Sequence, residues 1–142
     1  MRENKKLQIT GVMLEKEQLK KHLEKIASSH NIISRSQKDT YPIPRLLEDY
    51  EKIKEVYKML NEHVNMKINI HPAGEWLLDN FYIIEETVKQ IEKELTIKKY
   101  KNFIGIANGE YAGFARIYVL ASEIIAYTEN RIEKESLEEY LQ

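Results

Sequence analysis

Two apolar seams with identical spacing constrain this chain more than any other feature. Leu46, Tyr50, Ile53, Tyr57, Leu60 and Val64 recur in unbroken steps of four and three, and so do Leu77, Phe81, Ile84, Val88, Ile91 and Leu95. That interval places each set on one stripe of an α-helix. Each stripe is buried most simply against the other, so the spacing predicts an antiparallel helix pair. The first helix runs from Pro44, well suited to a first helical position, to about Met66. The second opens between Pro72 and Glu75, with Glu75 and Asp79 in its early turns, where the macrodipole favours negative charge. Between them Met66-Lys67-Ile68-Asn69-Ile70 alternates apolar and polar residues. It reads as an extended connector ending at His71-Pro72, with a short strand as the alternative.

The rest of the chain is predicted to be helical as well. Leu19, Leu23 and Ile26 mark a helix over Leu14 to Ser29, followed by a polar loop that Tyr41-Pro42-Ile43-Pro44 closes, because each proline pushes its predecessor out of the helical region. Lys98, Lys99, Lys101 and the stretch Ile104 to Gly109 break the pattern, and Asn108-Gly109 signals a turn. From about Gly113 the set Phe114, Ile117, Ala121 and Ile124, with Leu120 and Ile125, predicts a fourth helix. Glu133 to Gln142 predict a fifth, with Leu137, Tyr140 and Leu141 on one side and no capping residue, so that it reads as cut short. The expected fold is all-α, a bundle of four to five amphipathic helices with the last one truncated. Residues 1–13 are expected to form an extended or poorly ordered segment, and residues 14–142 a single helical domain leading into a larger protein.

Composition narrows the function. With 22 basic and 23 acidic side chains the formal charge is -1, so no overall field draws phosphate backbones, and nucleic acid is not an expected partner. The absence of cysteine removes disulfides, thiolate nucleophiles and Cys-ligated metals, and fits a cytoplasmic setting. No membrane span is expected, since the most apolar window, Tyr111 to Tyr127, is short and interrupted by Arg116 and Glu123.

Chemical motifs are scarce. Gly105, Gly109 and Gly113 stand four apart, which matches no phosphate-binding fingerprint, and they are expected where the backbone bends or approaches a neighbouring helix. His22, His30, His63 and His71 never fall at helical ligand spacing, so no metal is expected, and no cofactor either. His22 is placed on the solvated side of the first helix, and His30 and His71 at element ends. Lys89, Lys93, Lys98, Lys99 and Lys101 read as a solvated helix end balanced by Glu85, Glu86, Glu92 and Glu94. Glu75, Asp79, Tyr82 and Glu86 share one stripe beside the second seam. Paired carboxylates there suit acid and base work on a sugar bond, but a solvated face, or partners for Arg116 and Lys89, is the simpler reading. Trp76 with Tyr82, Tyr111 and Tyr118 suits sugar stacking, against the commoner role of aromatics as core.

The string Pro72-Ala73-Gly74-Glu75-Trp76-Leu77-Leu78-Asp79-Asn80-Phe81-Tyr82-Ile83-Ile84-Glu85-Glu86 resembles the amino-terminal region of cyclic β-1,2-glucan synthases. Tyr100, Asn108-Gly109, Ala112-Gly113, Arg116-Ile117-Tyr118 and Ala126 to Arg131 look similar to the next stretch of that region in the family. Tyr127-Thr128-Glu129 departs from the family's His-Thr-Asp, so no role needing an imidazole is carried over. The resemblance implies a parent glycosyltransferase that builds and cyclises a β-1,2-glucan from UDP-glucose, with those activities in later domains and no catalytic residue here. The implied partner is the remainder of that polypeptide, with location on the cytoplasmic side of the membrane. The alternatives are a β-glucan-binding module and a free-standing adaptor that forms homo-oligomers through an exposed apolar face. Glu75, Trp76, Asp79, Asn80, Tyr82, Arg116 and Tyr118 are the candidate ligand or interdomain contacts.

Overall fold

The computed structural model describes residues 13–129 and 131–142. The N-terminal segment expected over 1–13 lies outside the described residues apart from Met13. Predominantly α-helical architecture is what the structure shows, with six helices and one two-stranded sheet among the described residues. The chain divides into two compact units, one spanning Pro42–Thr96 and the other built from the segments up to Tyr41 and from Ile97 onward.

The Pro42–Thr96 unit is a helical hairpin. Helix α2 (Ile43–Asn65) and helix α3 (Pro72–Glu94) are 23 residues each. Both have proline in the first turn, where the missing N–H has no intrahelical partner to lose. The His71 Nδ1 accepts from the Ala73 N–H at 3.1 Å and caps α3. Leu60 lies against Gly74, Tyr57 stacks on Phe81 at 4.0 Å between ring centroids, and Tyr50 Oη donates to Glu85 at 3.0 Å. Ascending positions on α2 thus meet descending positions on α3, which is the antiparallel register the seams predict. Tyr50, Phe81 and Val88 form the buried core, flanked by Leu46, Ile53, Tyr57, Leu77 and Ile84. The bond from Tyr50, and then the one from Lys89, hold the Glu85 carboxyl below its ordinary range. The connector forms no strand: a turn at Met66-Lys67, with Lys67 at φ 58°, leads into irregular chain.

The other unit packs helix α1 (Lys16–Ser29) against helix α5 (Arg116–Thr128), with helix α6 (Lys134–Tyr140) against α1. Leu19, Leu23 and Ile124 are its buried centre, and Leu120, Tyr127, Leu137 and Tyr140 close over it. His22 is not on a solvated side. Its Nε2 lies 3.0 Å from Glu123 Oε2 and its ring meets Tyr127 edge-on at 4.7 Å, because α5 covers the flank of α1 from which it projects.

Segments expected to be loop carry short elements. Strand β1 (Ile32–Ile33) pairs antiparallel with strand β2 (Gly105–Ile106), a 3-10 turn spans Lys38–Thr40, and helix α4 spans Ile97–Lys101. Each is too short for a periodic pattern to reveal. The fourth expected helix begins at Arg116 and not near Gly113. Gly113 is at φ 86° and Ala115 is still extended, so Phe114 packs with Ile106 and Val119 ahead of the helix. Ile117, expected inside, is exposed, and Val119 takes the buried place.

A buried hydrogen-bonded knot holds these pieces. Ala115 N–H donates to Tyr100 Oη at 3.0 Å, Tyr100 Oη lies 2.8 Å from Thr40 Oγ1, and Thr40 Oγ1 reaches the carbonyls of Gln37 at 2.8 Å and Gly113 at 2.9 Å. Thr40 has one proton, which goes to a carbonyl. Tyr100 therefore donates to Thr40 and accepts from Ala115, and the three groups form a single relay. Ser36 Oγ, also buried, donates toward the carbonyls of Tyr100 at 2.6 Å and Phe103 at 3.0 Å.

Gly105 lies against Ile33 of β1 and the backbone of Arg35 just beyond that strand, so the close approach is not to a helix. A Cβ there would stand 2.8 Å from the Arg35 carbonyl oxygen and 2.9 Å from Ile33 Cγ1. Backbone must move to admit it. Gly105→Ala is expected to cost about 2–3 kcal/mol through overpacking. Gly109→Ala, at φ 85° with nothing within 4 Å of the added atom, should cost only about 1 kcal/mol, from the left-handed conformation alone. Urea melts of the two variants measure the difference, and equal midpoints would show that the Arg35 contact yields freely.

Candidate functional site

The connector end of the hairpin gathers most of the candidate residues. An open groove of about 550 Å³ is lined by Val64, Lys67, Ile68, Asn69 and Ile70 together with Glu75, Leu78 and Asp79. Its chemistry is mixed: two carboxylates, one ammonium and one amide over an aliphatic floor. Four residues separate the turn at Lys67 from the start of α3 at Pro72, and the groove lies between this connector chain and the first two turns of the helix.

The remaining α3 candidates do not line it. Trp76 is 60% exposed and Tyr82 is 65% exposed, so both are surface aromatics and not core. Asn80 spends its amide on the Trp76 carbonyl, at 2.8 Å within the same helix. Lys89 pairs with Glu85 at 3.4 Å, not with the stripe that holds Glu86. The proposed stripe of Glu75, Asp79, Tyr82 and Glu86 is exposed throughout. Carboxylates in that setting lack the enclosed, water-excluded surroundings that acid–base work on a sugar bond uses.

Arg116 and Tyr118 belong to the other unit, and both have local duties. Arg116 Nη2 donates to the Ala27 carbonyl at 3.1 Å, bracing the start of α5 against the end of α1. Its Nε and the Nδ1 of His30 are buried without a hydrogen-bond partner. Burial, and then the Arg116 charge, push the His30 pKa below the ordinary imidazole range, so neutral His30 coexists with the guanidinium. Tyr118 stacks on Phe114 at 6.0 Å. Tyr100, Gly113 and Arg116, which carry much of the later sequence resemblance, thus act as structural members of this unit.

Sequence reasoning passed over a second apolar line on the hairpin. Val56 and Met59 on α2, and Trp76 and Ile83 on α3, are between 43% and 60% exposed. Their spacing, three on α2 and seven on α3, is itself helical, and a second stripe search outside the main seams would have found it. No group of three or more His, Asp or Glu that could hold a metal occurs among the described residues. Nor is any helix among them long and apolar enough to cross a membrane.

Comparison with known proteins gives a distant relationship. No protein-family model matches the chain, and no solved structure matches it. Among curated proteins, the cyclic beta-(1,2)-glucan synthase NdvB of Rhizobium meliloti (strain 1021) is 27% identical over 90 residues. The match takes in 63% of this chain and 3% of that synthase, so the chain is similar to a small part of a far longer protein.

Proposed function

We propose that this chain is a non-catalytic helical docking module of a cyclic β-1,2-glucan synthase-like protein. On this reading, UDP-glucose-dependent synthesis and cyclisation of the glucan belong to other parts of the parent, on the cytoplasmic side of a membrane. The observation that carries the reading is the uncovered apolar line of Val56, Met59, Trp76 and Ile83, since apolar residues left exposed together mark interaction surfaces. The distant similarity to a segment of a glucan synthase supports the parent assignment.

A second reading has its own observation. The groove with Glu75, Asp79 and Asn69 offers hydrogen-bonding groups of the kind that hold sugar hydroxyls, and exposed Trp76 follows directly after Glu75. Two assays on the purified chain separate the readings. Incubated with UDP-glucose it should transfer no glucose, and titrated with β-1,2-gluco-oligosaccharides it should give no saturable change in the fluorescence of Trp76. Transfer by the chain alone would overturn the docking reading, and a saturable glucan response would replace it with the second.

A further inference from the structure

The apolar line on the hairpin has a particular charge setting. On α2, Glu55 and Glu62 stand four residues before and three after Met59. On α3, Asp79 stands three after Trp76 and four before Ile83, and Glu86 three after Ile83. Residues at these intervals are side-by-side neighbours on a helix surface. All four carboxylates are exposed, and none forms an ion pair among the described residues. Four other carboxylates of the hairpin behave differently. Glu48, Asp49, Glu51 and Glu85 each have a lysine or arginine within 2.7 to 3.7 Å. Glu75, Glu92 and Glu94 are likewise without an ion pair among the described residues, so what sets the four acids apart is their place beside the uncovered apolar residues.

The two halves of the line also belong to one edge. Lys54 lies over the Tyr50 ring, whose hydroxyl binds Glu85, so Lys54 and Glu85 mark one edge of the hairpin. At about 100° per residue, Val56 and Met59 are rotated from the α2 seam away from Lys54. Trp76 and Ile83 are rotated from the α3 seam away from Glu85. In an antiparallel pair these opposite rotations fall on the same side. The Leu60–Gly74 and Tyr57–Phe81 contacts put Met59 and Val56 level with the Trp76 to Ile83 stretch.

We propose that this edge docks an amphipathic helix bearing lysine or arginine on both sides of an apolar stripe. The apolar residues would lie in the line from Val56 to Ile83, and the cations would meet Glu55 and Glu62 on one side and Asp79 and Glu86 on the other. Charge argues against the other occupants. A second copy would bring the same carboxylates face to face, and an anionic lipid surface would be repelled by them.

The proposal rests on the docking reading and fails separately from it. The probe is a synthetic amphipathic helix of about 18 residues, with leucines at four-three spacing flanked by lysines. Its controls are a scrambled peptide of the same composition and one with glutamate in place of lysine. Binding to the full chain is followed by anisotropy of the labelled peptide. The lysine helix should bind saturably, at least about tenfold more tightly than either control, and more weakly as salt rises. Ile83→Ser and the double variant Glu55→Lys with Asp79→Lys, both at exposed positions and checked by circular dichroism, should each weaken it about tenfold or more. Equal binding of the scrambled peptide, or variants that bind as the parent does, would overturn the proposal. So would self-association of the chain that Ile83→Ser abolishes, or binding of the unmodified chain to phosphatidylserine vesicles through this edge. None of these results depends on whether the chain turns over UDP-glucose or binds glucan.

Discussion

Tyr100→Ala should destabilise the unit built around α1 and α5 by about 3–5 kcal/mol, the range for emptying a large aromatic site. Tyr100 is 1% exposed and combines two roles. Its ring fills the space beside Tyr41 and Phe103, and its hydroxyl is the middle of the relay from Ala115 to Thr40. Tyr100→Phe separates the two. It keeps the ring but leaves the Ala115 N–H, on a residue with no exposed surface, without an acceptor, which should cost about 1–3 kcal/mol. Urea unfolding followed by circular dichroism gives both values. A phenylalanine variant as stable as the parent would show that the relay adds nothing beyond ring packing.

In the hairpin, the largest loss is expected at Phe81. Phe81→Ala should cost about 3–5 kcal/mol, while Tyr82→Ala, one residue on, should stay within about 0.5 kcal/mol of the parent. The two aromatics are adjacent in sequence and opposite in environment. Phe81 is buried and lies between two tyrosine rings, with centroids 4.0 Å from Tyr57 and 6.1 Å from Tyr50 and nearly parallel planes. Tyr82 is 65% exposed. Phe81 belongs to the cluster it forms with Tyr50 and Val88, and the hairpin buries few other side chains, Ile43 and Leu60 among them. Thermal melts of the paired variants test this, and comparable midpoints would show that the Phe81 stack is not the centre of the hairpin.

The contrast at Phe81 and Tyr82 marks how far periodicity reaches. The four-three spacing places Phe81 inside without reference to coordinates, because rotation per residue is a property of the helix alone, whereas the commoner role of aromatics as core does not hold for Tyr82. The starts of α2 and α3 were legible for the same kind of reason, since prolines act through their own ring geometry. His22 shows the limit. It lies off the apolar stripe of α1, but α5 is broad enough to cover it, and only the packing of those two helices could reveal this. The candidate site divides in the same way. Glu75 and Asp79 were legible as neighbours on a stripe. That connector residues Lys67 and Asn69 complete a groove with them, and that Asn80 and Arg116 are engaged by backbone carbonyls, depends on how the chain folds back.

What the sequence by itself determined is the helical class, the antiparallel seam pair and the middle of its core. These follow from local rotation and from the need of each apolar stripe to be covered. The seam positions Val64 and Ile91, expected inside, are exposed. Tertiary structure alone decided the division into two units, the β1–β2 pairing, the knot at Tyr100, and which exposed apolar residues remain uncovered. Pairings between residues 60 to 80 positions apart, such as Thr40 with Tyr100 and Ile33 with Gly105, leave no periodic trace. They are selected by the closing of a buried hydrogen-bond network, which exists only once distant segments meet.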